Sequence, residues 1–260
     1  MRIATWNINS VRLRIDQLAE FAQKYQPDVI ALQETKTKDD TFPHSECVSM
    51  GYPHISISGE SGYNGVAVLS KYPILDNFML EFYNQDKRHI SARIGDIEIH
   101  NFYVPAGGDE PDPEINPKFR HKLAYLDLMH EWFLSKRSKN QKIVLLGDLN
   151  IAPLEHDVWS SKKLKNVISH TDIERKILMR NMQEFGFVDA PRIHVNDQEK
   201  LYSWWTYRTP DWQANDRGRR LDHIWVSEGL QHQVQSTSFA KEMRSMIQPS
   251  DHIPVIVDIE

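Results

Sequence analysis

The chain has 260 residues, of which 40% are hydrophobic and 26% are charged, a length and composition that support a substantial core and exclude disordered, collagen-like and low-complexity proteins. No stretch approaches the roughly 20 apolar residues of a membrane span, and no apolar signal-peptide segment follows Met1. The net charge of −5 argues against a sequence-independent nucleic-acid coat, which needs a basic surface. The single cysteine, Cys47, permits no internal disulfide or thiolate metal cluster, so we expect a cytoplasmic protein.

Hydrophobic periodicity predicts many strands and a few helices. In chain order they are a strand at 2–8, a helix at 11–25, strands at 28–33, 66–70, 90–94 and 97–104, a helix at 116–135, a strand at 143–146, a helix at 171–186, and strands at 201–207, 221–226, 234–240 and 253–259. The second helix is expected to begin with an Asn N-cap followed by Pro117, and the third with a capping box of Thr171 and Glu174.

The pattern of elements predicts the fold class. Strands outnumber helices, and no linker, composition shift or repeat divides the chain, so we expect one continuous α/β domain over residues 1–260. Strands such as 28–33 and 143–146 are apolar on both faces, as buried strands are. Together with helices about fifteen residues long, they favour a layered sandwich of mixed sheets with the helices outside.

Polar side chains follow the ends of several predicted strands. They are Asn7, Asn9, Glu34, Tyr103, Asp148, Asn150, Asp222, Asp251 and His252. Taken singly, each is more often a turn former, a helix cap or a packed side chain than a functional group. Their repetition at one strand end after another favours a functional site, because a sheet holds such groups rigidly while the loops expose them.

The chemistry of this set favours a hard divalent cation and phosphodiester hydrolysis. Its carboxylates, Glu34, Asp148, Asp222 and Asp251, come with amides and no thiol, which favours Mg²⁺ or Mn²⁺ over Zn²⁺. Phosphodiester hydrolysis needs a cation, a base for the attacking water and donors for the developing charge, and this set contains all three kinds of group. The sequence lacks both a Gly-x-Ser-x-Gly elbow and a glycine-rich phosphate loop, which argues against a serine hydrolase and a P-loop enzyme.

The same residues lie in motifs of a known family. The motifs are Trp6-Asn7-Ile8-Asn9, Leu32-Gln33-Glu34-Thr35-Lys36, Tyr103-Val104-Pro105, Gly147-Asp148-Leu149-Asn150, Arg220-Leu221-Asp222-His223 and Ser250-Asp251-His252-Ile253-Pro254-Val255. In order and spacing they resemble the exonuclease III family of abasic-site DNA endonucleases, over essentially the whole chain. The wider endonuclease/exonuclease/phosphatase superfamily shares the Glu, the Gly-Asp-x-Asn and the Ser-Asp-His, whereas the Leu-Gln-Glu-Thr-Lys and Arg-Leu-Asp-His segments look specifically like its DNA-repair branch.

This resemblance implies a fold and an activity. The fold is a four-layered α/β sandwich of the deoxyribonuclease I type, in which two packed mixed β-sheets are flanked by helices. The activity is a Mg²⁺-dependent DNA repair nuclease, with Mn²⁺ as a substitute cation, that cleaves 5′ to abasic sites in double-stranded DNA. It also implies 3′→5′ exonuclease and 3′-end-trimming activity, and we expect a monomer that does not bind membranes.

The resemblance also implies roles for the cation and the attacking water. Glu34 would be the principal metal ligand, with help from Asn7 and Asp251. Asp148 would orient and deprotonate the attacking water. Asn150 would hold that water or a phosphate oxygen.

A second set of implied roles concerns the phosphate. His252 would donate to the scissile phosphate with its ring fixed by Asp222, and Tyr103 would contact the phosphate or assist the leaving 3′ oxygen. Two positions depart from the family pattern. Ala106 stands where relatives often carry a phosphate-contacting amide, and Asn9 is a weaker metal ligand than an Asp would be.

An aromatic segment is implied to bind the DNA lesion. Trp204, Trp205 and Leu221 lie where family members place the wall of a pocket for an extruded abasic sugar, although ordinary core packing is the alternative for one of the tryptophans, because adjacent strand residues face opposite sides. Arg219 stands where some relatives carry an aromatic or aliphatic side chain, and it could contact the DNA.

The alternative function is an inositol-phosphate or phospholipid phosphatase or phosphodiesterase of the same fold.

Overall fold

The computed structural model describes residues 1–82, 86–209 and 211–260. The strands are β1 (Arg2–Asn7), β2 (Val29–Gln33), β3 (His54–Ser58), β4 (Val66–Ser70), β5 (Ile74–Phe78), β6 (His89–Ile94), β7 (Ile97–Tyr103), β8 (Ile143–Asp148), β9 (Phe187–Asp189), β10 (Asp222–Ser227), β11 (Val234–Phe239) and β12 (Val255–Ile259). The helices are α1 (Ile15–Tyr25), α2 (His44–Ser49), α3 (Pro117–Lys136), α4 (Ser161–Leu164), α5 (Asp172–Phe185), α6 (Ala190–His194), α7 (Trp212–Asn215) and α8 (Glu228–Gln231).

These strands form two six-stranded sheets of matching design. The first has the order β11-β12-β1-β2-β4-β3, and the second has the order β5-β6-β7-β8-β10-β9. Each sheet contains one parallel pair, β1 with β2 and β7 with β8, and its other neighbours are antiparallel. Both sheets are therefore mixed, as the sequence predicts.

The layers follow from which face of each strand is apolar. Between the sheets, residues such as Val68 of β4 and Leu146 of β8 belong to one buried cluster. On the outer face of the first sheet, Phe21 of α1 packs in a second cluster. On the outer face of the second sheet, Leu126 of α3 and Leu178 of α5 pack in a third. The resulting order of helices, sheet, sheet and helices confirms the four-layered sandwich.

A buried amide bridge joins the sheets close to the strand ends that matter for function. The side chain of Asn101 in β7 donates to the backbone carbonyls of Leu32 and Ala67 at 2.9 and 3.0 Å, and it accepts from Nε2 of Gln33 at 2.7 Å. All of these groups are buried, so the polar contacts are satisfied only when the two sheets hold one relative position.

Several predicted boundaries differ from the structure. Residues 201–207 form no strand in the described structure, and only isolated bridges join Trp204 to Arg219 and to His252. The first helix begins at Ile15 rather than at residue 11, after a turn. Three strands, β3, β5 and β9, were not predicted from the sequence. All three lie at sheet edges, where strands are short and less apolar.

No helix in the described ranges has both the length and the apolar character needed to cross a membrane.

Candidate active site

The site forms where strands of both sheets end side by side. Asn7 ends β1, and Asp148 ends β8 beside Tyr103 of β7 and Asp222 of β10. The buried Asn7 side chain joins the two sheets, because its Nδ2 lies 2.9 Å from Oε1 of Glu34 and 2.9 Å from Oδ2 of Asp148. The strand registers therefore bring together groups that are far apart in the sequence.

The backbone at two of these positions adopts the left-handed region. Glu34 has a φ of 50° and Asn150 a φ of 53°, a conformation that asparagine tolerates but that costs a Glu about 1 kcal/mol or more. Gly147 has a φ of 130°, and a Cβ there would lie 2.0 Å from the carbonyl oxygen of Phe102. Only glycine therefore fits at the first position of the Gly-Asp-x-Asn motif.

Asp148 is held by hydrogen bonds from Asn150 and Asn7. The backbone N–H of Asn150 donates to Oδ1 at 2.9 Å, and Nδ2 of Asn150 donates to Oδ2 at 3.2 Å and to the carbonyl of Val104 at 2.9 Å. Asp148 is 1% exposed. Burial raises the pKa of this carboxyl, and the nearby charge of His252 opposes the rise.

His252 lies between two buried carboxylates. Its Nδ1 is 2.8 Å from Oδ2 of Asp222, and its Nε2 is 3.7 Å from Oδ2 of Asp148. Burial lowers the pKa of His252, but the negative charges of Asp222 and Asp148 outweigh burial and raise the pKa to about 10. The ring is therefore a cation at neutral pH, with Nε2 available to donate to an anion.

Tyr103 lies next to the same carboxylates. Burial, followed by the charges of Glu34 and Asp148, raises the pKa of the phenol well above its usual value. The Arg88 guanidinium lies 4.8 Å from the centre of the Tyr103 ring and opposes that rise. The phenol consequently keeps its proton at neutral pH and acts as a hydrogen-bond donor.

Asp251 and Asn9 form an outer part of the site. Asp251 accepts from Nε1 of Trp204 at 2.9 Å and from Nδ2 of Asn9 at 3.2 Å. The ammonium of Lys36 lies 2.6 Å from Oδ1 of Asn9 and 2.8 Å from Oε2 of Glu34. Burial raises the pKa of Glu34, but hydrogen bonds from Asn7 and Lys36 outweigh it and lower the pKa.

These oxygens have the chemistry of a hard cation site. Glu34 and Asp251 contribute carboxylates, which suit Mg²⁺ or Mn²⁺. Asn7 instead presents its amide nitrogen to Glu34 and Asp148, and its oxygen accepts from the backbone N–H of Asn9 at 3.1 Å. A cation, the Lys36 ammonium, already contacts Glu34 and Asn9, so the donor set fits a positive charge. Asp148, Asp222 and His252 form a separate buried cluster whose ligand atoms lie within 4.8 Å of one another, although His252 is already hydrogen-bonded to Asp222.

A groove of about 660 Å³ opens over this site. Its walls include Trp204, Leu221 and Arg219. Trp205 is not among the groove residues. It is 2% exposed and packs with Tyr202 and Ile253, and its Nε1 donates to Asp216 at 3.2 Å. The adjacent tryptophans point to opposite sides, so the structure places Trp204 at the groove and Trp205 in the core.

The groove also contains residues that the sequence did not point to as site residues, among them Trp159, Arg208 and Arg217. The Trp159 ring has two cations near it, because the Arg217 guanidinium lies 4.9 Å and the Lys163 ammonium 5.3 Å from its centre. The signal was an isolated Trp next to a lysine-rich segment, which alone does not distinguish a groove wall from core. Ala106, in contrast, lines the groove but offers no side-chain donor.

Comparison with known proteins agrees with the fold. Residues 4–252 match the Endonuclease/Exonuclease/phosphatase family. Exodeoxyribonuclease III of Haemophilus influenzae is 30% identical over 267 residues, which cover 98% of each chain. An exodeoxyribonuclease of Bacillus subtilis is 30% identical over 271 residues, again with 98% of each chain covered.

Comparison with solved structures indicates the same family. An AP endonuclease from Archaeoglobus fulgidus superimposes with a TM-score of 0.93 and 30% identity, over 100% of this chain and 99% of that one. The 3′ phosphatase NExo from Neisseria, solved with a product DNA hairpin, superimposes with a TM-score of 0.91 and 30% identity over the same shares. The chain therefore belongs to the endonuclease/exonuclease/phosphatase family, within its exodeoxyribonuclease III and AP endonuclease branch.

Proposed function

We propose that the protein is a DNA repair nuclease that hydrolyses the phosphodiester 5′ to abasic sites in duplex DNA. We propose that it also has 3′→5′ exonuclease and 3′-end-trimming activity. The observation that carries the proposal is the position of Asp148, which is buried between the Asn7 amide and the protonated His252 ring at the floor of a groove lined by arginine and tryptophan. The names of the relatives, exodeoxyribonuclease III, AP endonuclease and 3′ phosphatase, support the same chemistry.

Glu34 and Asp251 would hold the divalent cation, with Asn9 in a weaker outer position. Asn7 would join them through Oδ1 only in exchange for the hydrogen bond that this oxygen accepts from the backbone N–H of Asn9. Bound there, Mg²⁺ or Mn²⁺ would neutralise part of the phosphate charge. Binding would require the Lys36 ammonium to leave Oε2 of Glu34, because the cation and the ammonium compete for the same carboxylate.

Asp148 acts as the base in this proposal. A water bound at Oδ2 would lose its proton to this carboxylate as its oxygen attacks phosphorus. Asn150 keeps the carboxylate oriented through its backbone N–H and its side-chain amide. Because the Asn7 amide binds Oδ2 as well, the carboxylate has a single orientation before substrate arrives.

His252 and Tyr103 donate hydrogen bonds to the phosphate. The protonated His252 donates from Nε2 to a non-bridging oxygen and so stabilises the charge that develops in the transition state. Asp222 keeps the proton on Nδ1 and the ring in place. The neutral Tyr103 phenol donates to a phosphate oxygen or to the leaving 3′ oxygen.

The groove provides the DNA-binding surface. Trp204 offers an aromatic face, Leu221 an apolar one, and Arg217 and Arg219 positive charge. A deoxyribose without its base is small and partly apolar, and extruding it costs little because there is no base to unstack. Arginine and tryptophan along a groove suit a nucleic-acid backbone better than they suit a soluble inositol phosphate.

The direct test uses end-labelled duplexes that carry a tetrahydrofuran abasic analogue, a nick or a 3′-phosphate, with Mg²⁺ present. The proposal requires cleavage on the 5′ side of the analogue, and the other duplexes measure end trimming. Phosphate release from soluble inositol phosphates with every duplex left intact would favour the alternative phosphatase. We further propose that residues 1–260 act as one cytoplasmic monomeric domain, and light scattering at micromolar concentration tests the monomer.

A further inference from the structure

A fully buried ion pair lies behind the loop at residues 148–150, which we call the catalytic loop. Nζ of Lys122 in α3 lies 2.6 Å from Oε1 of Glu174 in α5, and both side chains are 0% exposed. Lysine and glutamate are almost never buried completely unless they are paired, because both charges lose their hydration. Neither residue can contact DNA, and neither belongs to the set of groups that line the groove.

The ammonium of Lys122 binds the backbone of the catalytic loop. It donates to the carbonyl of Asn150 at 2.8 Å and to the carbonyl of Ala106 at 3.3 Å. Asn150 has a left-handed backbone and donates to Asp148. Lys122 therefore holds the backbone of a residue that orients the proposed base through its own hydrogen bonds.

The carboxylate of Glu174 binds a different segment of the groove. Its two oxygens accept from the backbone N–H of Ser169 at 3.0 Å each, and one of them accepts from the N–H and the hydroxyl of Thr171 at 3.1 and 2.6 Å. Ser169 has a φ of 87° and lines the groove. Its hydroxyl in turn accepts from Nη1 of Arg219 at 2.8 Å.

The ion pair thus links two parts of the site that are apart in the sequence, next to the backbone hydrogen bond from the N–H of Ala152 to the carbonyl of Ser169 at 2.7 Å. On one side are Asn150 and Asp148, which act on the phosphate in our proposal, and on the other are Ser169 and Arg219, which form the groove wall. A hydrophobic pair of equal volume would fill the same space but could not bind the carbonyl of Asn150 or the N–H of Ser169.

We propose that Lys122 and Glu174 are positioning residues, which hold the catalytic loop at Asn150 in register with the groove wall at Ser169. The effect on the reaction rests on the proposed nuclease function, whereas the effect on Asn150 does not. Their loss lowers the rate of the chemical step and leaves DNA binding nearly unchanged.

The test compares two variants that loosen the same pair of helices. K122M/E174Q removes both charges while keeping the side-chain volumes similar. Asn181→Ala is the matched control, because Nδ2 of Asn181 in α5 donates to the carbonyl of Leu126 in α3 at 2.8 Å, away from the groove. We expect the double variant to lose at least about 100-fold in single-turnover rate with less than about threefold change in DNA Kd, and the control to stay within about threefold in both.

A second measurement does not depend on activity. The side-chain N–H₂ of Asn150 bonds both Asp148 and Val104, so its ¹H–¹⁵N signals, assigned through Asn150→Asp, report the loop directly. They should shift and exchange faster in K122M/E174Q and remain unchanged in Asn181→Ala. If the wild type leaves all DNA intact while these signals move as expected, the nuclease function fails and the positioning role stands.

Three results would overturn the positioning role. One is a double variant with wild-type rate, another is a control that loses as much rate as the double variant, and the third is an unchanged set of Asn150 signals in the double variant. If K122M/E174Q does not fold, Glu174→Gln alone carries the test. It should lose about tenfold in rate and move the same signals, and wild-type values for both would reject the role.

Discussion

Nδ1 of His252 lies 2.8 Å from Oδ2 of Asp222, and both side chains are almost completely buried. A buried imidazole would ordinarily be neutral, because burial penalises its charged form. Here the adjacent carboxylates outweigh burial, so that the pKa of His252 rises to about 10. The pair therefore keeps a proton donor at the floor of the groove throughout the physiological pH range.

Replacing Asp222 by Asn should move the alkaline limb of the pH–rate profile to lower pH. The substitution removes a negative charge, so the pKa of His252 falls from about 10 toward its ordinary value of about 6.5. Single-turnover cleavage rates between pH 6 and pH 10 measure the shift. An alkaline limb at the wild-type position would show that another group controls it.

The same substitution should alter stability with a definite sign. Because the folded pKa of His252 is raised, its contribution to stability is fully present below about pH 6.5 and is lost as the pH rises toward about 10. Asp222→Asn should therefore lower the free energy of unfolding more at pH 6 than at pH 10. Urea unfolding at both values tests this, and an equal loss at both would contradict it.

The two adjacent tryptophans should separate binding from stability. Trp204→Ala removes an aromatic face from the groove and should weaken DNA binding by about 1 to 3 kcal/mol. Trp205→Ala empties part of the core and should lower the free energy of unfolding by about 3 to 5 kcal/mol, with DNA Kd unchanged for the folded protein. Fluorescence anisotropy and urea unfolding measure both quantities, and the opposite pattern would reverse our assignment.

Glu34 and Lys36 should act oppositely on cation binding. Glu34→Gln removes a charged oxygen ligand and should weaken Mg²⁺ binding at least about tenfold. Lys36→Met removes the ammonium that lies 2.8 Å from Glu34 and should strengthen Mg²⁺ binding. Isothermal titration with Mg²⁺ measures the affinities, with Glu46→Gln on exposed α2 as the control. Equal affinities in Glu34→Gln and wild type would exclude Glu34 as a ligand.

Much of the fold could be predicted because burial dictates the hydrophobic pattern. The strand at Val66–Ser70 has the predicted limits, and the capping box of Thr171 and Glu174 begins α5 as expected. The prediction of a strand at 201–207 was wrong, because the aromatic residues of this segment are typical of strands. Its backbone instead makes only isolated bridges, and the structure uses its side chains on opposite sides, Trp204 at the groove and Trp205 in the core.

Part of the inner site could be expected from strand ends, because the neighbouring strands β1 and β2 bring Asn7 and Glu34 together. That Asp148 of the other sheet meets them depends on how the two sheets pack. The residues that support the site from behind, and part of the groove wall, could not be predicted. In the sequence, Lys122 cannot be told apart from the other lysines of its helix. Only the packing of α3 against α5 shows that its ammonium is buried against Glu174. Trp159 likewise depends on where its loop folds relative to Arg217.

The most direct measurement is single-turnover cleavage of a duplex with one abasic analogue by wild type and by Asp148→Asn, alongside DNA Kd for both. The amide keeps the shape of the side chain and one accepting oxygen, but it cannot accept the proton of the attacking water. We predict a rate at least about 1,000-fold lower with Kd within about threefold of wild type. A variant that cleaves at the wild-type rate would show that Asp148 is not the base and would contradict the account.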